Sequence, residues 1–475
     1  MLKRSVLFLA LAASLSGCIV SRVSPDTPAL PLPDALPAQA GETVGLPDPW
    51  WQIFADPTLD ALMEEALAHN PDVAVAAARV DEARALLRIT DADRLPFVNI
   101  EGSATRSKDP AFLTEDLGQD RHQTLYSVQG VVSYELDLWG RYRRASQAAR
   151  AQLLSSEFGR EATKLSLTGE VARGYFGLIA AVEQLARARD TLVTREESLR
   201  LERLRLDAGE SDEFTFKRAQ AEAAATRIAT RQLQLEVVRR TNALGVLLGR
   251  SPQELIENAV STQGIDLPRA VTLPPELPST ILTRRPDINA AEAALVAAAA
   301  DVGAARAQLF PSITLTGVFG SLSPELDGLF SEPFEAWSAV GGLFQPLFQG
   351  GRLRANVART EALKQQRRAE YARTVQVAFR EVLDALRGQA LIAEVQAANA
   401  EQVAALSRAT ELAELRYAQG DIAYLELLDV RRSLYQAQID LVAAQRDALL
   451  NTVDLALALG GGLGRNAAPP RTARR

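Results

Sequence analysis

The chain has 475 residues, 47% of them hydrophobic, and a formal charge of −7 from 52 basic and 59 acidic side chains. One cysteine and two histidines exclude an internal disulfide and any metal centre built on several thiolates. An acidic balance without clustered Lys and Arg excludes an extended nucleic-acid surface.

Lys3 and Arg4 precede an apolar run, Val6 to Ala13, that is too short to span a bilayer. With Leu15-Ser16-Gly17-Cys18 behind it, residues 1–17 read as a secretory signal peptide, and the motif resembles the lipobox of bacterial lipoproteins. That resemblance implies a covalent lipid on Cys18 as the first mature residue. Ile19 in place of Asp leaves out the inner-membrane retention signal of enteric lipoproteins. Residues 18–47, rich in Pro, Ala and Asp, read as a lipid-anchored extended tether. No apolar stretch of about 18 residues follows, so no transmembrane helix is expected, and a membrane crossing would have to use strands.

Folded structure is expected from Asp48 onward. Asn70-Pro71-Asp72 opens a helix, since Asn caps it, Pro suits its first turn and Asp suits its dipole. Leu95-Pro96 ends it. Two segments then alternate with period two, the mark of a half-buried or barrel strand. Val98, Ile100 and Ala104 share one face of the first, and Tyr126, Val128, Val132, Tyr134 and Leu136 one face of the second. From Gly140 to Ala208 there is no proline, and Val171, Leu178, Leu185, Leu192, Leu199 and Leu206 fall at seven-residue spacing. Such spacing predicts a helix packed along a seam, about 68 residues and roughly 100 Å long. Gly209 ends it, and a partner helix is expected from about Ser211 to Gly249.

The same pattern then returns. LRLDAGE (Leu204–Glu210) comes back as LRYAQGD (Leu415–Asp421), 211 positions on (415 − 204). YELDLWGR, ending at Arg141, comes back as FQPLFQGGR, ending at Arg352, and Asn70-Pro71-Asp72 as Arg285-Pro286-Asp287. Two copies of one unit are predicted. The first covers 48–260, with strands in about 97–137 and helices over about 140–208 and 211–249. The second covers 261–460, with strands in about 312–347, including Ile313, Leu315, Gly317 and Phe319 on one face, and helices over about 350–419 and 421–459. In its last helix Leu427, Leu434, Leu441, Ala448 and Leu455 keep the seven-residue register. Residues 461–475 read as a disordered tail.

Four strands cannot close a barrel, and sheet edges cannot stay open in lipid. Two protomers would supply eight strands and three would supply twelve, so a cyclic oligomer of open order is expected.

WWQIFADPTLDAL (Trp50–Leu62), the Asn-Pro-Asp helix start, YELDLWGR, QPLFQGGRLRA and LRYAQGDIAYLELLDVRRSLYQAQ together resemble the TolC-like outer membrane factors. The nearest branch is the lipidated one, the exit ducts of RND-type multidrug efflux pumps. The resemblance covers about residues 48 to 460. It implies a mainly α fold with a transmembrane β-barrel, built by a homotrimer as a 12-stranded β-barrel and a 12-helix periplasmic α-barrel. It further implies a periplasmic adaptor (membrane fusion protein), an RND-type inner-membrane transporter and outer-membrane lipid as partners. The duct of a type I protein-secretion system and a non-channel periplasmic coiled-coil lipoprotein are the alternatives.

No catalytic constellation, cofactor or metal site is expected: His69 and His122 stand apart, Met1 and Met63 are the only methionines, and no P-loop occurs. Glu426 and Asp429, three apart, share a helix face. The resemblance makes Asp429 a match for an acidic position at the periplasmic constriction, and Tyr417, Leu425 and Arg432 matches for positions near the closed aperture. A gate of Leu425, Glu426, Asp429 and Arg432 is therefore expected, its carboxylates favouring cations. Asp207, Gly209, Glu210, Tyr417, Gly420 and Asp421 are expected at the tips that meet the adaptor, where acidic charge suits a complementary partner.

Overall fold

The structure, a computed structural model, describes residues 24–28, 47–108, 110, 122–257, 267–271 and 285–461. Cys18, the signal segment and most of the tether lie outside the described residues, as do positions 462–475. Two compact units divide the chain.

Unit one holds the described residues of Met1–Ala29, with Arg79–Glu157 and Ala290–Ala372. Its centre is a four-stranded antiparallel sheet of β1 (Phe97–Lys108), β2 (His122–Leu136), β3 (Ser312–Ser323) and β4 (Glu335–Phe344), in that order. The first copy supplies β1 and β2 and the second supplies β3 and β4; the copies meet along β2 and β3. Register fixes the faces. Ile100 lies opposite Gly130, Gly130 opposite Phe319, and Phe319 opposite Trp337. Val98, Val132, Gly317 and Ala339 form the next rank, and Tyr134, Leu315 and Gly341 the one after. All these residues share one face, so the alternation expected from the sequence is aligned across four strands into one apolar surface. The opposite face carries Asn99, Glu101, Ser103, Ser127, Gln129, Ser133, Thr314 and Thr316. Ile100 and Trp337 are 83% and 78% exposed, so the protomer's own chain does not cover the apolar face.

The YELDLWGR segment turns β2 into a helix. Asp137 accepts from the backbone N–H of Tyr142 at 3.2 Å and of Arg143 at 2.9 Å, capping the first turn. Trp139 stacks on Phe310 at 4.9 Å and donates to the Pro311 carbonyl at 2.6 Å. In the same unit Asp26, from the tether, accepts from the largely buried Lys364 ammonium at 2.8 Å.

Unit two holds the described residues of Leu30–Ala78, Phe158–Asn289 and Arg373–Arg475. The helices of the chain are α1 (Pro57–His69), α2 (Pro71–Ala92), α3 (Arg141–Asp207), α4 (Glu213–Leu247), α5 (Pro252–Glu257), α6 (Pro286–Ala307), α7 (Arg352–Gln419) and α8 (Tyr424–Ala458). The aromatic core of unit two comes from a short 3-10 segment, Trp50–Phe54, against α3. Phe54 meets Phe176 edge-on at 4.8 Å, Trp50 donates to Thr168 at 3.1 Å, and Tyr175 donates to Asp56 at 2.7 Å. Burying side chains of this size is worth about 1.5–3 kcal/mol each.

The duplication survives in a detail. Asn70 donates to the carbonyl of Leu247, the last residue of α4. Arg285, at the matching place in the second copy, donates to the carbonyl of Ala458, the last residue of α8. In both, a carbonyl left unpaired at a helix end is satisfied by the residue before a proline.

One expectation is corrected: an apolar stretch of about 18 residues does follow the signal, in helix α6, and 56% of it is buried inside the protein, as in a core helix. Gly461 is buried and its N–H bonds to the Ala456 carbonyl at 2.9 Å, so the ordered helix stop takes in the first residue of the stretch expected to be a disordered tail.

Candidate functional site

Helices α3 and α4 form one hairpin, and α7 and α8 the other. Gly209 (φ +77°) stops α3, and Gly420 (φ +82°) stops α7. In both turns the next residue's N–H reaches back to a helix carbonyl: Glu210 to Arg205 at 2.8 Å, and Asp421 to Arg416 at 2.9 Å. A Cβ at either glycine would meet open space, so the left-handed backbone alone calls for glycine there. The re-entry differs. Asp212 caps α4 by accepting from Thr215 N–H at 2.9 Å, which holds its carboxyl below the usual range, whereas Ala423 gives α8 no side-chain cap.

The two hairpins are bound together near these turns by polar ties around two buried carboxylates. Glu202 on α3, 2% exposed, accepts from the Tyr417 hydroxyl at 2.6 Å, from Ser211 at 3.0 Å and from Arg205 at 3.3 Å. Arg205 also donates to the Tyr417 hydroxyl and lies over its ring at 5.0 Å. Burial, then the Glu202 carboxylate, pushes the Tyr417 phenol up to about 12. Glu222 on α4 accepts from Arg432 on α8, through Nε at 3.0 Å and through Nη2. Burial would raise the Glu222 pKa, but the Arg432 hydrogen bond and the nearby guanidinium charges outweigh it and hold the carboxyl below its ordinary range. A third tie links Arg431 to Glu414 at 2.6 Å and to Ser198 at 3.1 Å. Between the ties, Ala219, Tyr424 and Leu428 form a dry cluster with Leu199 and Tyr417 against it. Hydrogen bonds to charged partners in such surroundings are worth about 1.5–3 kcal/mol each.

Tyr417 and Arg432 thus lie in the joint between the hairpins. Leu425, 42% exposed, and the carboxylates of Glu426 and Asp429 face outward from α8. Among the described residues neither carboxylate makes a hydrogen bond or ion pair. Asp207 is held by Arg203 at 3.3 Å, while Glu210 and Asp421 are exposed on the turns.

Sequence reasoning missed Glu202, Glu222, Arg195 and Arg205. The signal was present beside the seam. Three places past each seam residue runs Gly174, Ala181, Ala188, Arg195, Glu202, so a stripe of small residues becomes charged on approaching the turn. Charges in an otherwise small-residue packing stripe need dedicated partners.

Comparison with known proteins relates the chain as a whole to a family. The model for the family described as "Outer membrane efflux protein" matches residues 62–250 and 277–461. The chain is 36% identical to the probable efflux pump outer membrane protein TtgC of Pseudomonas putida, over 97% of this chain and 96% of TtgC. It is 34% identical to the cation efflux system protein CusC of Escherichia coli, over 95% and 98%. Among solved structures it resembles the outer membrane channel CmeC of Campylobacter jejuni (TM-score 0.86, 26% identity, 92% and 94% covered). It also resembles the open-state MtrE outer membrane channel of Neisseria gonorrhoeae (TM-score 0.81, 31% identity, 92% and 97% covered).

Proposed function

The chain belongs to the outer membrane efflux protein family and is an outer-membrane efflux channel; from that premise we propose that it is the passive exit duct for small toxic compounds in a tripartite pump. One observation carries the reading: a single sheet with one apolar face, one more polar face and, among the described residues, two unpaired edges. Such a sheet fits lipid outside and water inside only once neighbours close it. Three copies would give twelve strands and twelve helical segments. An adaptor would meet the turns at Gly209 and Gly420, and an RND-type transporter would supply the energy. A lipid on Cys18 would hold the tether at the membrane.

The hairpin joint is the gate in this reading. Ties on Glu202 and Glu222 keep the hairpins together, and parting them widens the entrance. Glu426 and Asp429 would converge from three copies, and close carboxylates attract cations. Catalysis has no part in this account, and substrate choice is left to the transporter.

Efflux is tested with a deletion strain and the same strain carrying the intact gene. Restored efflux of several unrelated dyes and antibiotics supports the proposal. A missing secreted protein with unchanged dye accumulation would move the assignment to protein secretion. No change in either would leave a structural lipoprotein.

A further inference from the structure

Arg195 pays a cost that the tied hairpins do not return. Its guanidinium is 2% exposed, and its Nε and Nη1 are buried with no hydrogen-bond partner. Its ion-pair contact is Glu222 Oε1 at 3.9 Å, outside hydrogen-bond distance. The Glu222 carboxylate is turned instead to Arg432. A buried guanidinium without hydrogen bonds is expensive. Burial pulls the Arg195 pKa below its ordinary range; the Glu222 charge and Tyr424 oppose this, and the smaller effects of Arg431 and Arg432 add to it.

The positions of the three residues give this a use. Arg195 on α3 and Glu222 on α4 belong to the same hairpin, whereas Arg432 is on α8 in the other. Parting the hairpins takes Arg432 away, together with Tyr424 and Leu428, which pack with Ala219 and Leu199 one turn from the pair. Glu222 stays beside Arg195, where a side-chain movement of ~1 Å makes a hydrogen bond. We infer that Arg195 is a standby partner that opposes the tied state: Glu222 passes from Arg432 to Arg195 as the hairpins part. Opening then breaks one ion pair while forming another and relieving a buried, unsatisfied charge. The device exists in one copy of the repeat, since the places 211 residues on are Leu406 and Ser433. The inference rests on the duct reading above.

The test is single-channel recording on the full-length protein in planar bilayers, with Arg432→Met, Arg195→Met and the double variant. Arg432→Met is expected to raise open probability. Arg195→Met alone is expected to lower it below wild type, by ~10-fold for one charged hydrogen bond, and to have little effect in the Arg432→Met background, where Glu222 reaches Arg195 in both states. Arg195→Lys, which keeps charge but loses the forked donors, should fall between. A merely structural Arg195 predicts the opposite sign, because removing it would loosen the hairpins further. Unchanged or higher open probability in Arg195→Met therefore overturns the handover. If Arg195→Met does not form heat-modifiable oligomers, Glu222→Gln replaces it. That variant should open like Arg432→Met and become indifferent to Lys at 195, and continued sensitivity to that change would overturn the proposal. If neither wild type nor Arg432→Met conducts, the duct reading itself fails, and the handover with it.

Discussion

Tyr417 donates a 2.6 Å hydrogen bond to Glu202, and the two residues belong to different copies of the duplicated unit. The copies are equal in architecture and unequal in chemistry. Leu206 stands where the first copy would need a second Tyr417, so the tie runs one way only. An internal repeat has thus been turned into a joint with two distinct sides.

Tyr417→Phe keeps the ring in the dry cluster and removes the hydroxyl. Glu202 retains Arg205 and Ser211, so the fold is expected to hold while the joint weakens by about 1–2 kcal/mol. Single-channel recording should show open probability rising roughly 5- to 30-fold. An unchanged trace would remove Tyr417 from the gate.

The same hydroxyl predicts an alkaline response. Folding raises the phenol from about 10 in an exposed tyrosine to about 12. A raised pKa means that the protonated form is favoured in the tied state. Its contribution is complete below about pH 10 and is lost as pH climbs through about 12. Conductance measured across that window should rise in the wild type. Tyr417→Phe should lack that component.

Glu426→Ala combined with Asp429→Ala should shift the reversal potential in a salt gradient toward non-selective behaviour, while oligomer formation stays normal. Both carboxylates are exposed and take no part in the hydrogen bonds that tie the hairpins. Selectivity that survives the double change would rule out the carboxylate ring.

Register separates the two faces of the sheet by one residue. Ile100→Arg puts a cation on the apolar face, at a cost of up to about 2–4 kcal/mol in lipid. Asn99→Arg puts the same charge on the polar face. Heat-modifiable oligomer should be depleted in the first variant and retained in the second. Equal behaviour of the pair would mean that neither face meets lipid.

Much of this was legible in the chain itself. Period-two alternation in Tyr126–Leu136 needs only local geometry, and the strand register carries it across β1 to β4. The seam from Val171 to Leu185 is fully buried, but Leu192, Leu199 and Leu206 are half-buried, since Tyr417 and Tyr424 bring polar groups into that end of the packing. The ties were not legible, because a heptad reading attends to apolar positions and treats Glu202 and Arg195 as surface. Their partners, Tyr417 and Glu222, are brought near only by tertiary packing. Helix α6 went unremarked as an apolar stretch; its alanines pack against protein, a context that hydropathy does not contain.

Among the described residues β1 is paired only with β2, and β4 only with β3. A lone protomer placed in a bilayer would leave two rows of backbone N–H and C=O groups facing hydrocarbon, each unsatisfied group costing several kcal/mol. No stable single-chain membrane intermediate can therefore precede the finished barrel. Insertion and association become one event, with a rate that depends steeply on protomer concentration. Until its neighbours arrive, the chain must cross the periplasm as a water-borne species with its apolar face shielded by something other than lipid.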